Sequence, residues 1–159
     1  MNFVSVITTF KNSQETISDT INSVLNQTFK NFEYILVDDG SEDQSLKILK
    51  SFNDKRIKIL EPGNIGRANA LNEAVNISKG EYIAIIDADD ICIDNRLEKQ
   101  INFCLMNKKD FVATNSILVN FQGDVTGKTN FVANKTFLRE KLLEMNPFAH
   151  SSIFIKKMS

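Results

Sequence analysis

The chain has 159 residues, of which 42% are hydrophobic and 25% charged, and its formal net charge is −1. That length suits one domain with its own core, and so balanced a charge argues against a nucleic-acid groove or an anionic membrane surface as partner. Two cysteines, Cys92 and Cys104, are too few and wrongly spaced for a zinc site; an even pair also allows a disulfide, but they read as reduced thiols of a cytoplasmic protein.

The opening MNFVSVITTFKNSQE lacks the basic region and long apolar run of a signal peptide. No segment approaches the roughly 18 apolar residues of a membrane span. Residues 3–10, FVSVITTF, are a short β-branched run that predicts a strand. Residues 13–27 place Ile17, Ile21, Val24 and Leu25 on one helical face, with Asn12 and Glu15 spaced as a capping pair. FEYILVDDG, residues 32–40, predicts a second strand ending in Asp38 and Asp39. Ser41 and Gln44 stand as the capping box of a helix carrying Leu46, Leu49 and Phe52. RIKILEPG is a third strand, stopped by Pro62 and Gly63. Residues 67–78 put Ala70, Leu71, Ala74 and Val75 on one face, with Gly80 placed to end that helix. YIAIID, residues 82–87, is a fourth strand, and a helix over 95–108 has Leu97, Ile101 and Leu105 in register. Beyond it, residues 110–121 predict a strand, 123–128 a turn, 135–145 a short helix and 151–157 a closing strand. Phe29, Phe32, Phe103 and Phe111 fall where core packing would put them.

Strands alternating with helices imply parallel pairing through right-handed crossovers, hence an α/β sandwich around a mostly parallel sheet. Runs such as YIAII, apolar throughout, suit strands covered on both faces. Without a repeat or a low-complexity linker, residues 1–159 read as one domain.

In such a sheet ligands bind beyond the carboxyl ends of the strands. Three strands end there in distinctive groups: Thr8 and Thr9, then Asp38-Asp39-Gly40, then Asp87-Ala88-Asp89-Asp90. Residues i and i+2 of a strand project to one side, so Asp87 and Asp89 are expected to converge. Carboxylates so close raise each other's pKa unless a cation relieves them. Mg²⁺ and Mn²⁺ are hard ions that take oxygen ligands and complete their shell with substrate phosphates, which suits this place. The same acids also suit a plainer role, as solvated caps of the following helix.

VSVITTFKN, SVLNQTFKNFEYILVDDGSEDQSLKIL, RIKIL, NIGRANALNEAVNISKGEYIAIIDADDICIDNRLEKQ and NPFAHSSIFIKK follow one another from residue 3 to about 156. In this order and spacing they resemble the inverting nucleotide-sugar glycosyltransferases of family 2. The resemblance implies a GT-A fold, a Rossmann-like α/β/α sandwich. It also implies a nucleotide-diphosphate sugar donor, and Mn²⁺ or Mg²⁺ held by the Asp-x-Asp element. The acceptor would be a saccharide or a lipid-linked one, in cell-surface polysaccharide synthesis. The protein would be cytoplasmic, with peripheral association at the inner face of the membrane left open.

Carried over by position, Thr9 stands where the family most often has Pro, and its backbone would lie along the base and ribose. Asp39 would accept a hydrogen bond from the base, a pyrimidine N–H favouring UDP over GDP, while Asp38 would orient the loop. Asp89 would be the direct metal ligand, and Asp87 would contact ribose or a metal-bound water. Asp90 is balanced between a site residue and a helix-start acid. Lys11 replaces the family's usual Tyr, and Leu71 stands where Arg is frequent. Arg67 lies four residues before it, one helical turn away, either serving the pyrophosphate or standing solvated at the helix start. His150 matches a family position near the acceptor side, although a single His is also an ordinary structural residue.

Inverting transfer needs a general base to take the acceptor's hydroxyl proton. In the family that carboxylate lies past the HSSIFIKK strand, and this sequence stops at Ser159. The base is therefore expected beyond Ser159, and the chain is expected to lack its C-terminal acceptor and base region. A base within the chain would be sought first at Asp110, Asp124, Glu140 and Glu144. Two other readings compete. One is a non-catalytic nucleotide-sugar binding module, which the missing base favours. The other is a receiver-type phosphoacceptor domain, from the likeness of YILVDDGSEDQSLKILKSF to a receiver's first strand and acidic pair. Against the receiver, residues 3–27 form a strand and a helix ahead of that pair.

Overall fold

The computed structural model describes residues 3–120, 122–129 and 148–157. Strands β1 (Val4–Phe10), β2 (Phe32–Asp38), β3 (Ile57–Leu60) and β4 (Tyr82–Ile85) alternate with helices α1 (Ile17–Leu25), α2 (Ser45–Lys50) and α3 (Arg67–Ile77). Helix α4 (Arg96–Asn107) follows, then short strands β5 (Phe111–Val112), β6 (Ile117–Val119) and β7 (Val125–Lys128). A 3-10 turn, His150–Ser152, leads into β8 (Phe154–Lys156).

Six strands form one sheet in the order β3-β2-β1-β4-β8-β5. The pairs β1–β2, β1–β4 and β2–β3 are parallel, with Val4 opposite both Phe32 and Tyr82. β8 runs antiparallel between β4 and β5. Because the chain steps from β1 outward to β3 and then returns to the far side of β1, connections diverge on either side of that strand. This is the switch point at which an open α/β sheet leaves a crevice.

Alternation along the strands divides the core. Val4, Val6, Tyr34 and Leu36 point to one face, against Ile17, Ile21 and Val24 of α1, Leu49 of α2, and Leu97, Ile101 and Cys104 of α4. Ile7, Ile35, Val37 and Ile83 point to the other, against Ala70 and Ala74 of α3. Each fully buried Ile or Leu contributes about 1.5–3 kcal/mol, so the two layers dominate the stability of the sheet. Alanines at the α3 contact let that helix sit close to the strands. Cys92 and Cys104 are both free and buried.

At the sheet's N-terminal edge lies a polar knot. Glu33, 4% exposed, accepts from Ser5 Oγ at 2.6 Å, the Lys79 amide at 2.6 Å and Lys58 Nζ at 2.5 Å. Ser5 Oγ in turn accepts the Gly80 amide at 2.8 Å. A Cβ on Gly80 would lie 2.3 Å from the Ser5 backbone nitrogen, so only glycine fits there. Helix α3 had already ended at Ile77, and Gly80 is a close-approach residue, not the helix terminator that the sequence predicts.

Other expectations need correction. Residues 110–121 are not one strand: β5 joins the main sheet, while β6 pairs with β7 in a separate hairpin. The segment expected as a turn, 123–128, supplies β7, because the Asn120 side chain closes the reversal earlier. Its Oδ1 accepts the Gln122 and Asp124 amides at 3.0 and 2.9 Å. Leu105 and Phe103 are 46% and 47% exposed, and Cys104 takes the buried place on the α4 stripe. The expected closing strand begins only at Phe154, since His150–Ser152 coil into the 3-10 turn. The expected helix over 135–145, with Glu140 and Glu144, lies outside the described residues. So does Ser159, the residue past which the general base is expected.

Candidate functional site

Parallel pairing brings the carboxyl ends of β1, β2 and β4 to one edge. There a cleft of about 580 Å³ is lined by residues 9–16 together with Asp39, Asp43, Arg67, Asp87, Ala88 and Asp89. Thr9 and Phe10 form its floor at the end of β1, and residues 11–16 form a wall. Thr8, one residue earlier, is buried and shares a hydrogen bond of 2.9 Å with Tyr34 Oη, while its own hydroxyl donates to the Ile86 carbonyl at 2.9 Å. That bond ties the floor to the β4 end.

The wall is laced across the two loops. The Asn12 amide donates to Ser41 Oγ at 2.9 Å, and Asn12 Oδ1 accepts the Glu42 amide at 2.8 Å. The Ser13 amide donates to Ser45 Oγ at 2.7 Å, and the Gln14 amide to Asp43 Oδ2 at 3.0 Å. The Gln44 amide donates to Gln14 Oε1 at 3.0 Å. Asn12, Ser41 and Gln44 thus act between loops, and neither predicted capping pair forms a side-chain cap on its helix.

The adjacent acids of β2 hold different loops. Asp38 Oδ1 accepts the Ser41 amide at 2.8 Å. Asp39 Oδ1 accepts the Ile65 and Gly66 amides at 2.7 and 3.0 Å, leaving Oδ2 without a partner among the described residues. Gly40 makes this junction possible. It has φ +81°, and a Cβ there would press on the Asn64 amide at 3.1 Å. Asp39 therefore carries one committed oxygen and one open oxygen at the cleft.

Beyond Ile85 the chain leaves β4 and turns, the Asp90 amide donating to the Asp87 carbonyl at 3.2 Å. Strand alternation no longer governs Asp87 and Asp89, yet both line the cleft. Asp87 has a 27% exposed side chain and faces two cations or donors. Arg67 Nη2 pairs with its Oδ1, and His150 Nδ1 lies 3.2 Å from the same atom. Arg67 Nη2 is also 3.1 Å from His150 Nδ1. With a proton on Nδ1 the ring donates to Asp87; without it the ring accepts from Arg67. Burial pushes the Asp87 carboxyl up, but the hydrogen bond from His150, the charge of Arg67 and Ser151 outweigh it and hold the pKa below the ordinary value. The Asp87 amide donates to Ser151 Oγ at 2.9 Å. Asp89 and Asp90 are exposed, and neither carboxylate has a hydrogen-bond or ion-pair partner among the described residues.

The six residues singled out from sequence are thus gathered at one end of the sheet. Thr9, Asp39, Arg67, Asp87 and Asp89 line the cleft, and His150 adjoins it through Asp87 and Arg67. Arg67 is 61% exposed, but its guanidinium is directed at Asp87. Sequence reading missed Ser151 and the lacing residues Gln14 and Asp43; a Ser next to the flagged His was the available signal. Asp110 and Asp124 do not line the cleft. The donor set suits a divalent ion: two carboxylates, one of them free, opening on a cleft large enough for a phosphate ligand. No group of three or more His, Cys, Asp or Glu forms a metal cage among the described residues.

An open α/β sandwich with strand-end acids around its switch-point cleft has the architecture of the GT-A folds. The TarS 1-349 structure from S. aureus superposes on 98% of this chain and 47% of its own, with a TM-score of 0.73 at 23% identity. The same protein in complex with UDP-GlcNAc matches 70% of this chain and 33% of its own, with TM-score 0.64 and 31% identity. Over 142 residues the chain is 39% identical to the Escherichia coli UDP-Glc:alpha-D-GlcNAc-diphosphoundecaprenol beta-1,3-glucosyltransferase WfgD, covering 89% of this chain and 55% of that one. Residues 5–158 match the sequence model of Glycosyl transferase family 2, and the chain belongs to that family. It spans about half the length of WfgD.

Proposed function

We propose that the chain is the donor-binding portion of a glycosyltransferase that moves a sugar from a UDP-sugar to a saccharide or lipid-linked acceptor with inversion. The observation that carries this reading is convergence: Asp39, just past the end of β2, and Asp87 and Asp89, in the turn that follows β4, come from opposite sides of β1 and line one cleft. Likeness to WfgD, named for UDP-Glc and a diphosphoundecaprenol-linked sugar, supports the donor nucleotide and the acceptor class. The TarS complex with UDP-GlcNAc supports the same donor class.

The open Asp39 Oδ2 accepts the uracil N–H, and the Thr9 backbone lies along base and ribose. Asp89 and Asp87 hold Mn²⁺ or Mg²⁺. When bound, that ion supplies charge neutralisation of the donor's pyrophosphate. Arg67, released from Asp87, turns its guanidinium to the same phosphates. His150 stands at the acceptor side of Asp87. Transfer consists of attack by an acceptor hydroxyl oxygen on the anomeric carbon. The bond from that carbon to the phosphate oxygen breaks, and the hydroxyl proton passes to a base outside the described cleft, in sequence beyond Ser159. The protein acts in the cytoplasm or at the inner face of the membrane. Among the described residues no helix is long and apolar enough to cross one.

Calorimetric titration with UDP tests the reading. Affinity should collapse when Mn²⁺ and Mg²⁺ are chelated, and Asp89→Ala should erase the metal effect while Asp90→Ala is milder. Equal affinity with and without metal would sink it. Binding without acceptor-dependent nucleotide release, in this chain and in a version extended along its reading frame past Ser159, would favour the non-catalytic module.

A further inference from the structure

Helix α4 carries a buried polar pair on its apolar stripe. Arg96 is 7% exposed and Gln100 2%, one turn apart between Leu97, Ile101 and Cys104. Among the described residues no carboxylate pairs with this arginine. Its Nη2 donates to the Ile85 carbonyl at 2.9 Å and the Ile153 carbonyl at 3.3 Å. Nη1 donates to Cys92 Sγ at 3.2 Å, and Nε to Gln100 Oε1 at 3.0 Å. Gln100 Nε2 continues the chain to the Ser152 carbonyl at 2.8 Å.

The targets of these bonds are what matter. The β4–β8 ladder pairs only Tyr82, Ile83 and Ala84 with Lys156, Ile155 and Phe154, and its last rung runs from the Ile85 amide to the Ile153 carbonyl at 3.1 Å. Past that rung one strand becomes the Asp87 turn and the other the His150–Ser152 turn. Arg96 enters where backbone pairing stops and grips both strands. A guanidinium taken from water without a counter-charge is an expensive way to hold a fold together. Its planar fork, however, reaches three elements at once, which neither an apolar side chain nor a lysine can do.

We infer that Arg96, with Gln100, is a positioning residue that holds the Asp87 turn against the His150–Ser151 turn, and so sets the metal and pyrophosphate end of the cleft without touching it. This rests on the donor-binding reading above for its functional consequence. The structural part stands apart from it.

The test uses the whole chain and the variants Arg96→Lys, Arg96→Met and Gln100→Leu. Hydrogen–deuterium exchange is followed at residues 82–90 and 148–156, with β1 and β2 amides as internal reference, and UDP affinity is measured with Mn²⁺. Exchange at the two turns should quicken at least tenfold in both Arg96 variants while β1 and β2 stay at wild-type rates. UDP–Mn²⁺ affinity should fall at least tenfold, with Gln100→Leu showing a smaller change of the same kind. Should Arg96→Met fail to fold, Arg96→Lys and Gln100→Leu carry the test. Unchanged exchange at the turns, or exchange that rises equally across β1 and β2, would overturn the inference. Wild-type affinity in variants whose turns have loosened would overturn its functional half. If the unmutated chain binds no UDP, the donor-binding reading fails instead, and the exchange data still decide whether Arg96 positions the turns.

Discussion

At the N-terminal edge of the sheet, Glu33 is nearly sealed from water and its two oxygens take three donors, from Ser5, Lys79 and Lys58. At the C-terminal edge, Asp87 is half-buried, and one of its oxygens is contested by an exposed arginine and a histidine. Both carboxylates sit at strand ends in a low-dielectric setting, and both have their pKa lowered because hydrogen bonds and a cation outweigh burial. The difference lies in what remains to be done. Glu33 is saturated by groups that belong to the fold, whereas Asp87, with a free Asp89 two residues on, is held by a side chain able to move away. A saturated acid stabilises; an acid with an exchangeable partner can bind.

Breaking this comparison starts with Asp87→Asn. It should weaken UDP–Mn²⁺ binding by about a hundredfold, the consequence of removing one charged partner from a site, and leave the melting temperature close to that of the parent. Loss of binding accompanied by equal loss of stability would merge the two regions after all. Glu33→Gln should do the reverse. It leaves Lys58 without its partner and should cost about 2–4 kcal/mol, read as a fall of roughly 5–15 °C in Tm, with nucleotide affinity unchanged. Asp39→Asn sharpens the contrast within the cleft. It keeps an oxygen for the Ile65 and Gly66 amides and turns the other atom into a donor, so UDP binding should weaken ten- to a hundredfold, about 1.5–3 kcal/mol, without unfolding the loop. UDP affinity equal to the parent's would end the base assignment. Gly80→Ala should cost about 1–3 kcal/mol by pressing on Ser5, and chemical denaturation would read it directly. The smallest effect is one of pH. A Glu held below its usual 4.5 contributes stability in full above that value and loses it as pH falls through the lower folded-state pKa. The stability gap between the parent and Glu33→Gln should therefore narrow in acid below about pH 4.5, and a gap that stays constant would show that charge is not what Glu33 contributes.

Much of this was readable from local pattern. The stripe of Ile17, Ile21 and Val24, the Ala70–Ala74 face and the unbroken YIAII run each carry their periodicity in a few residues, so α1, α3 and β4 were legible. Acids at strand ends were equally plain, because a parallel sheet places all such ends on one edge. What escaped was set by distance along the chain. The Asp87 amide meets Ser151 across 64 residues, and Gln14 meets Asp43 across 29, with no periodicity to announce either. The apolar run Ile117 to Val119 misled for the opposite reason. It has the composition of a core strand but lies exposed on the β6–β7 hairpin. Arg96 hid in plain view, a charged residue at a position the Leu97–Ile101–Cys104 stripe marks as buried.

The place of β8 in the sheet also sets an order of events during synthesis. β4 and β5 are successive strands on either side of a slot that a later strand must enter. Some forty residues separate Val112 from Phe154, about 2–8 s of translation at roughly 5–20 residues per second. Throughout that interval the nascent chain holds β4 with one edge unpaired and its Asp87 turn unbraced, an opening to which any extended segment could add.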